Sequence, residues 1–341
     1  MSSLKIKDLG EFGLIDYIRS INKRKDYNVS IPIGDDASLI ENIKNGQILV
    51  TTDLLVEGID FKLDYFNPSE LAYKTIAVNI SDISAMGGLP AWFTISIGFP
   101  ENTGLDFLEK FFEELISWGE KNNISLVGGD ISKAPKITIS ITLLGTVTDG
   151  KVIKRNGAKP GQSVWITGGV GFSFLGLEFL LKNSCKKSID GVEKDFVNYC
   201  VNLHKKPPIR TSIAHKLAVN CLASSMIDIS DGIFRDLDHI CKMSNTGASI
   251  DLRKLPGIEK VTKVADIIKL DRNKVISGGE DFELLFTVDK NNLERLKHII
   301  LDYPDHDIKE IGKILDISEG FKYHDMYGKL NQMEPIGFEH F

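Results

Sequence analysis

Between Ile31 and Val147 the apolar and polar positions alternate between two periods, short β-like runs and longer helical stripes. IPIGDDASLI, QILVTTDLLVEG, WFTISIGF, ISLVGGD and KITISITLLGTV read as the β runs, with helices predicted over 67–86 and near 104–122. The first helix has a marked entry. Asn67 stands at its N-cap, Pro68 in its first turn and Glu70 three residues after the cap, the spacing of a capping box.

The stretch TDGKVIKRNGAKPGQ (148–162) is polar, with three Gly and one Pro, and reads as a connection. The domain boundary is placed there, giving domains 1–149 and 150–341. Beyond it the mixture resumes with SVWITGG as a strand, a helix through 172–183, a polar insert at 184–196, a helix from Pro208 to Val219 and the run SSMIDIS. A helix at 232–244, ASIDL, a helical segment near 258–269, VISGGEDFELLFTV, a helix at 291–300 and IKEIGKIL complete it. Adjacent strand runs mixed with helices predict α+β layers rather than a pure parallel sheet.

Composition adds limits. At 341 residues the chain is long enough for two domains, and 42% hydrophobic with 26% charged residues describes an ordinary folded protein. Lys and Arg total 41 against 47 Asp and Glu, a net charge of -6, the wrong sign for wrapping a nucleic-acid backbone. No apolar run approaches the roughly 20 residues that span a bilayer, and the first residues carry no signal-peptide pattern, so the expectation is a cytoplasmic protein without a membrane partner. Cys185, Cys200, Cys221 and Cys241 are too far apart for a CxxC site and read as buried thiols without chemistry.

The informative pattern lies in the acids that close apolar runs: IPIGDD (Asp35, Asp36), ILVTTD (Asp53), AVNISD (Asp82), ISLVGGD (Asp130), MIDISD (Asp228, Asp231) and VISGGED (Glu280, Asp281). One Asp after a strand ordinarily forms a turn or caps a helix. Six such motifs in one chain point to a shared cleft. Two like charges about 4 Å apart cost roughly 4 kcal/mol at an effective dielectric near 20, so converging carboxylates require a cation. With oxygen donors and no His or Cys in the motifs, the cation is a hard one, Mg²⁺ ahead of Ca²⁺ because no EF-hand loop is present. There is no P-loop, kinase HRD or DFG set, GxSxG or HExxH. Phosphoryl transfer, which relies on positioning and charge neutralisation, remains.

Two further features have plain readings. TGGVGFSFLG (167–176) is a glycine-rich turn into a helix, read as structural because the GxGxxG spacing is missing. His204, His215 and His239 lie in helical patterns and read as surface or satisfied core residues.

The motifs GDDASLI (34–40), TTDLLVEGIDF (51–61), AVNISDISAMGGLP (77–90), GGD (128–130), KRNGAKPGQ (154–162), IDISDG (227–232) and GGEDFELLF (278–286) resemble, in order and spacing, the thiamine-monophosphate kinase family. The resemblance runs from about residue 10 to the terminal IGFEHF. It implies a two-domain aminoimidazole-ribonucleotide-synthetase-like fold whose N-terminal domains form a homodimer. It also implies ATP as co-substrate, thiamine monophosphate as acceptor and several Mg²⁺ ions. Residue by residue, it makes Asp36, Thr51, Thr52, Asp53, Asp82, Asp130, Asp228 and Asp231 metal ligands, and Gly129, Asp130, Arg155 and Ser230 ATP contacts. Asp53, Asp130 and Arg155 become the catalytic set, with Glu280 and Phe338 near the thiamine moiety. At Asp60 many members carry His, and an acid there could face the cationic thiazolium.

Chemistry agrees with that set: the two substrates bring about six negative charges, counting roughly -1.5 to -2 for a monoester. Arg155, beside Lys151 and Lys154, could neutralise phosphoryl oxygens, its alternative being a solvated linker charge. Selenophosphate synthetase and the hydrogenase-maturation protein of the same fold use a reactive Cys near one terminus, and neither terminus here has one. A non-catalytic nucleotide- and Mg²⁺-binding regulator stays open on the strength of Asp60 alone.

Overall fold

The structure, a computed structural model, describes residues 17–18, 20–22, 29–31, 39–40, 46–182, 189–332 and 337. The chain divides into two compact units, Met1–Ile83 with Leu89–Asp149, and Ser84–Gly88 with Gly150–Phe341.

In the first unit a small β1–β2 pair (Val29–Ile31, Leu39–Ile40) accompanies a four-stranded sheet in the order β3 (Gly46–Val56), β6 (Thr138–Thr148), β4 (Leu89–Phe99), β5 (Ser125–Lys133). Its pairings are antiparallel except for β4 with β5. Helices α1 (Pro68–Ala85) and α2 (Leu105–Lys121) cover one face. The capping box forms as its sequence requires, with the Glu70 N–H donating to Asn67 Oδ1 at 2.9 Å and the Asn67 N–H donating to Glu70 Oε2 at 3.1 Å. Tyr73 of α1 meets Trp118 of α2 edge-on at 4.6 Å between ring centroids. Along β3 burial alternates with the pleat, so Leu49 and Leu55 are buried while Val50 and Leu54 face outward on the side that none of the described helices covers.

The second unit holds a seven-stranded mixed sheet in the order β13-β12-β9-β11-β7-β10-β8. Its strands are β7 (Ser163–Ile166), β8 (Ala223–Asp228), β9 (Gly247–Asp251), β10 (Leu284–Val288), β11 (Lys309–Leu315), β12 (Phe321–His324) and β13 (Leu330–Gln332). All neighbours run antiparallel save β12 with β9. Alternation in β10 feeds two cores. Leu285 joins Ile227 and α6 (Ile233–Ser244) on one face, and Phe286 joins Met226, α5 (Thr211–Val219) and α9 (Leu293–Ile300) on the other. A third cluster is helical, built by α3 (Phe172–Leu181), α4 (Lys194–Lys205), α7 (Ile258–Ile267) and α8 (Arg272–Ile276). Helices stacked on two mainly antiparallel sheets make the chain α+β.

Several local expectations are corrected. The polar insert at 184–196 gives way at Lys194 to α4, whose buried stripe Phe196, Val197, Cys200 and His204 has the period of a helix. The helix expected from Pro208 begins only at Thr211: Pro208 keeps the residue before it out of the helical region, and residues 207–210 form no helix. VISGGED is no strand: Arg272–Ile276 is helical, and the strand starts only at Leu284, after the acids. Asp82 lies inside α1, and Asp53 and Asp130 lie within strands, so among the described motifs only Asp228 ends a strand.

Candidate active site

The first unit gathers its acids where β3 faces α1. The Thr51 hydroxyl donates to Asp82 Oδ2 at 2.5 Å across that layer. Asp53, two residues along the same face of β3, has its carboxyl pushed up to about 7 by burial and then by the charges of Asp82 and Asp60. Asp60 sits in the turn after β3, where its Oδ2 accepts the Val56 N–H at 2.7 Å. Thr52 points the other way. Its hydroxyl donates to the Ile141 carbonyl at 2.9 Å and lies 3.3 Å from Ser140 Oγ, so of the two threonines only Thr51 joins the carboxylates by its side chain.

On β5, Gly129 occupies the strand row of Asp53, and a Cβ there would come within 2.3 Å of the Ile95 carbonyl, which excludes any other residue. Asp130 lies one row on, paired with Ser96, and is exposed. Asp35, Asp36 and Phe338 lie outside the described residues.

The second unit interlocks two loops. Gly232 (φ +116°) has no room for a Cβ, which would meet the Ser277 carbonyl at 2.3 Å, and Gly279 (φ +78°) fits as closely against the Ser230 carbonyl, at 2.5 Å. Glu280 N–H donates to the Ser230 carbonyl at 2.7 Å and Phe282 N–H to the Ile229 carbonyl at 2.8 Å. Glu280 and Phe282 both have left-handed backbone, φ +58° and +51°, a strain that non-glycine residues keep where a site needs it. IDISDG and GGEDF are thus one structural feature carrying Asp228, Ser230, Asp231 and Glu280. Gly337 also belongs here, since a Cβ on it would meet the Asp231 carbonyl at 2.7 Å.

Arg155 reaches the same region along the backbone that pairs Lys154 O with Met226 N at 3.0 Å, and its charge helps hold His239 below the usual imidazole range, after desolvation. Asp231, Asp236 and His239 offer ligand atoms within 4.8 Å of one another. Sequence reading missed Asp236 and His239. Their signal was the i, i+3 spacing on the first turns of α6, which puts both on the face next to Asp231. Asp236 accepts the Asp231 and Gly232 N–H groups at 3.2 and 3.0 Å, and burial followed by the charges of Asp228 and Asp231 raises its carboxyl to about 8.

The glycine-rich turn before α3 is occupied from within. The Gly171 and Ser173 N–H groups donate to the two carboxylate oxygens of buried Asp281, at 2.9 and 3.2 Å. Cys200 and Cys241 are buried, with their thiols raised by desolvation, that of Cys241 to about 12; Cys221 is exposed, contrary to expectation. Among the described residues no helix is long and apolar enough to cross a membrane.

Residues 34–147 match the family model described as AIR synthase related protein, N-terminal domain. The chain is 36% identical over 333 residues to the thiamine-monophosphate kinase of Buchnera aphidicola subsp. Acyrthosiphon pisum, covering 97% of this chain and 98% of that one. To its counterpart in Aquifex aeolicus it is 33% identical over 341 residues, 99% and 100% of the two chains. The chain belongs to the thiamine-monophosphate kinase family. Solved structures agree. The thiamine-monophosphate kinase of Stenotrophomonas maltophilia K279a superposes with a TM-score of 0.79 at 30% identity, over 92% of this chain and 96% of that one. The structure described as AaThiL complexed with AMPPCP and TMP gives 0.73 at 32% identity over all of both chains. The hydrogenase maturation protein HypE of E. coli shares the fold alone, at 15% identity and a TM-score of 0.75 over 96% of this chain and 98% of that one.

Proposed function

We propose that the chain transfers the γ-phosphoryl group of ATP to thiamine monophosphate, giving ADP and thiamine diphosphate. The observation that carries this reading is the full-length likeness to the structure solved with AMPPCP and TMP. A phosphate oxygen of the acceptor attacks the γ-phosphorus in line, the bond to the β–γ bridging oxygen breaks, and no phosphoenzyme forms. The acceptor phosphate, with a second pKa near 6, is already anionic at neutral pH, so no protein base is needed. Arg155 neutralises phosphoryl oxygens, Gly129 lets backbone approach the nucleotide, Ser230 contacts it, and Glu280 with Phe338 meets the thiamine moiety.

The donor set of the first unit fits Mg²⁺. Thr51, Asp53, Asp60 and Asp82 present only oxygens, and burial first, then the charges of Asp82 and Asp60, raise the Asp53 carboxyl, whose ionised form a bound cation would favour. Asp36, Thr52 and Asp130 are further proposed ligands of the first unit, Thr52 through atoms other than its engaged hydroxyl and Asp130 from the face of β5 opposite to that of Asp53; Asp228 and Asp231 are the proposed ligands of the second unit. Bound there, Mg²⁺ would offset phosphate charge as it develops on the leaving group. A homodimer formed by the first unit is part of the same reading, supported by the exposed apolar side chains Ile48, Val50 and Leu54 of β3.

The test is to incubate the purified protein with ATP, Mg²⁺ and thiamine monophosphate and to assay thiamine diphosphate by its fluorescent oxidation product. Formation of thiamine diphosphate supports the reading. ATP binding without product points to a regulator, and product from unphosphorylated thiamine to a pyrophosphokinase.

A further inference from the structure

Glu280 is held at both ends. Its backbone is fixed in the left-handed region by the bond to the Ser230 carbonyl, and its carboxylate Oε2 lies 3.3 Å from Nδ1 of His204. The two side chains differ sharply in exposure: the imidazole is 0% exposed and the Glu280 side chain 35%. A fully buried ring therefore touches an acid that opens to solvent. The same Nδ1 is 3.2 Å from Ser173 Oγ, and the Ser173 N–H holds Asp281, the next residue of the loop.

The approach of α3 to α4 makes this arrangement possible. At Gly176 a Cβ would strike the Cys200 carbonyl at 2.2 Å and His204 Cβ at 3.0 Å, so glycine lets the two helices close until the imidazole reaches Ser173 and Glu280. The loop is thus tied to α3 twice, once through Asp281 to backbone N–H groups and once through Glu280 by way of His204. With the ring proton assigned to Nδ1, the tautomer that a carboxylate 3.3 Å away favours, the buried imidazole donates to Glu280 and sets the direction of its carboxylate, as outer-shell partners set the direction of ligating groups.

We propose that His204 is a positioning residue for the kinase reaction, holding the Glu280 carboxylate in the orientation that meets the cationic thiazolium of the acceptor. The assignment rests on the functional reading above. His204 touches no substrate and acts only through Glu280. ATP recognition, which that reading gives to other residues, is outside its reach.

The experiment compares His204→Leu, which keeps bulk and removes the donor, with His204→Asn, whose amide nitrogen can stand in for Nδ1. Both are assayed in the full-length enzyme, alone and combined with Glu280→Gln. Losing a hydrogen bond to a charged group predicts that His204→Leu raises the KM for thiamine monophosphate about tenfold. The KM for ATP should stay within about twofold, which also reports an intact fold, and His204→Asn should recover most of the loss. In the Glu280→Gln background His204→Leu should add no further change, the signature of action through one partner.

Equal damage to both substrates, or full additivity with Glu280→Gln, overturns the proposal in favour of a purely structural imidazole. Unchanged kinetics in His204→Leu overturn it as well. Wild-type enzyme that forms no thiamine diphosphate overturns the functional reading instead, and the two failures are told apart by that first control.

Discussion

Asp53 shows how a single carboxyl ties folding to metal affinity. Its ordinary value of 3.8 rises to about 7, with burial the largest cause and Asp82 and Asp60 following. Between those two values the folded chain keeps a proton that the unfolded chain has released, so raising the pH across that range weakens the metal-free protein. Above about 7 the penalty is complete, and binding a divalent cation to the ionised group reverses it. Two outcomes are expected. The midpoint of thermal unfolding without metal should fall between pH 5 and 8, with Asp53→Asn lessening the fall and the raised carboxyls of Asp236 and Asp281 carrying the rest. Apparent Mg²⁺ affinity by calorimetry should rise up to about tenfold per pH unit below 7 and level off above it, with proton release in the same range. A wild-type midpoint that climbs over this range, or affinity indifferent to pH, would remove the cluster's charge from the argument. Asp53→Asn should also lower turnover by at least about a hundredfold, given what one electrostatic group contributes at such a site. The acids that carry this were legible because each sits in a short contiguous motif. His204, Asp236 and His239 were not. They become neighbours of the site only when α4 and α6 form, and a histidine in a helical stripe looks the same in sequence whether it packs in a core or braces a carboxylate.

At the scale of elements, the rule that acids close strands found the right residues for a partly wrong reason. Asp228 ends β8 as that rule requires, but Asp82 projects from a helix and the GGED acids precede their strand. In IDISDG and GGEDF the shared feature is a close backbone approach, and glycine is its marker. That makes Gly232 a stringent test. Alanine there faces both an unfavourable φ of +116° and a carbonyl at 2.3 Å, whereas at Gly150 (φ +72°) nothing lies within 4 Å of the added atom. Gly150→Ala should cost about 1 kcal/mol, the usual left-handed penalty. Gly232→Ala should cost more, of the order of 1–3 kcal/mol for backbone strain before the clash is counted, and should raise the KM for substrate because the Ser277 segment must shift. Equal unfolding midpoints for the two variants would show that the loops are not interlocked. The helix spans 67–86 and 104–122 were read to within about a residue because caps and apolar stripes agree there. α4 was overlooked because its polar, charged approach hides a stripe of only four buried residues.

At the scale of the whole molecule, the first unit presents a sheet with one face covered by helices and the other carrying apolar side chains outward. Ile48 is 46% exposed, Val50 64% and Leu54 57%, all on one side of β3 by the period of the pleat. Periodicity alone did not reveal this face: ILVTTDLLV is apolar on both alternating sets, which does not tell a strand buried on two faces from one with an exposed apolar face. Water-facing β-branched and leucine side chains in a row are the signature of a surface that another surface covers. A second copy of this chain is the partner that the family reading supplies. Val50→Asp with Leu54→Asp should therefore convert a dimer to a monomer in light scattering at micromolar concentration, since each added charge would be desolvated in the interface without a partner. Thr52→Ala is the control on the same face: its hydroxyl is satisfied within the sheet by Ile141, so the mass should stay that of two chains while the free energy of unfolding falls by a hydrogen bond's worth, about 1 kcal/mol. A wild-type protein already monomeric at these concentrations would leave the face to some other cover and remove the homodimer from the functional reading, without touching Asp53 and its neighbours on the opposite side of the sheet.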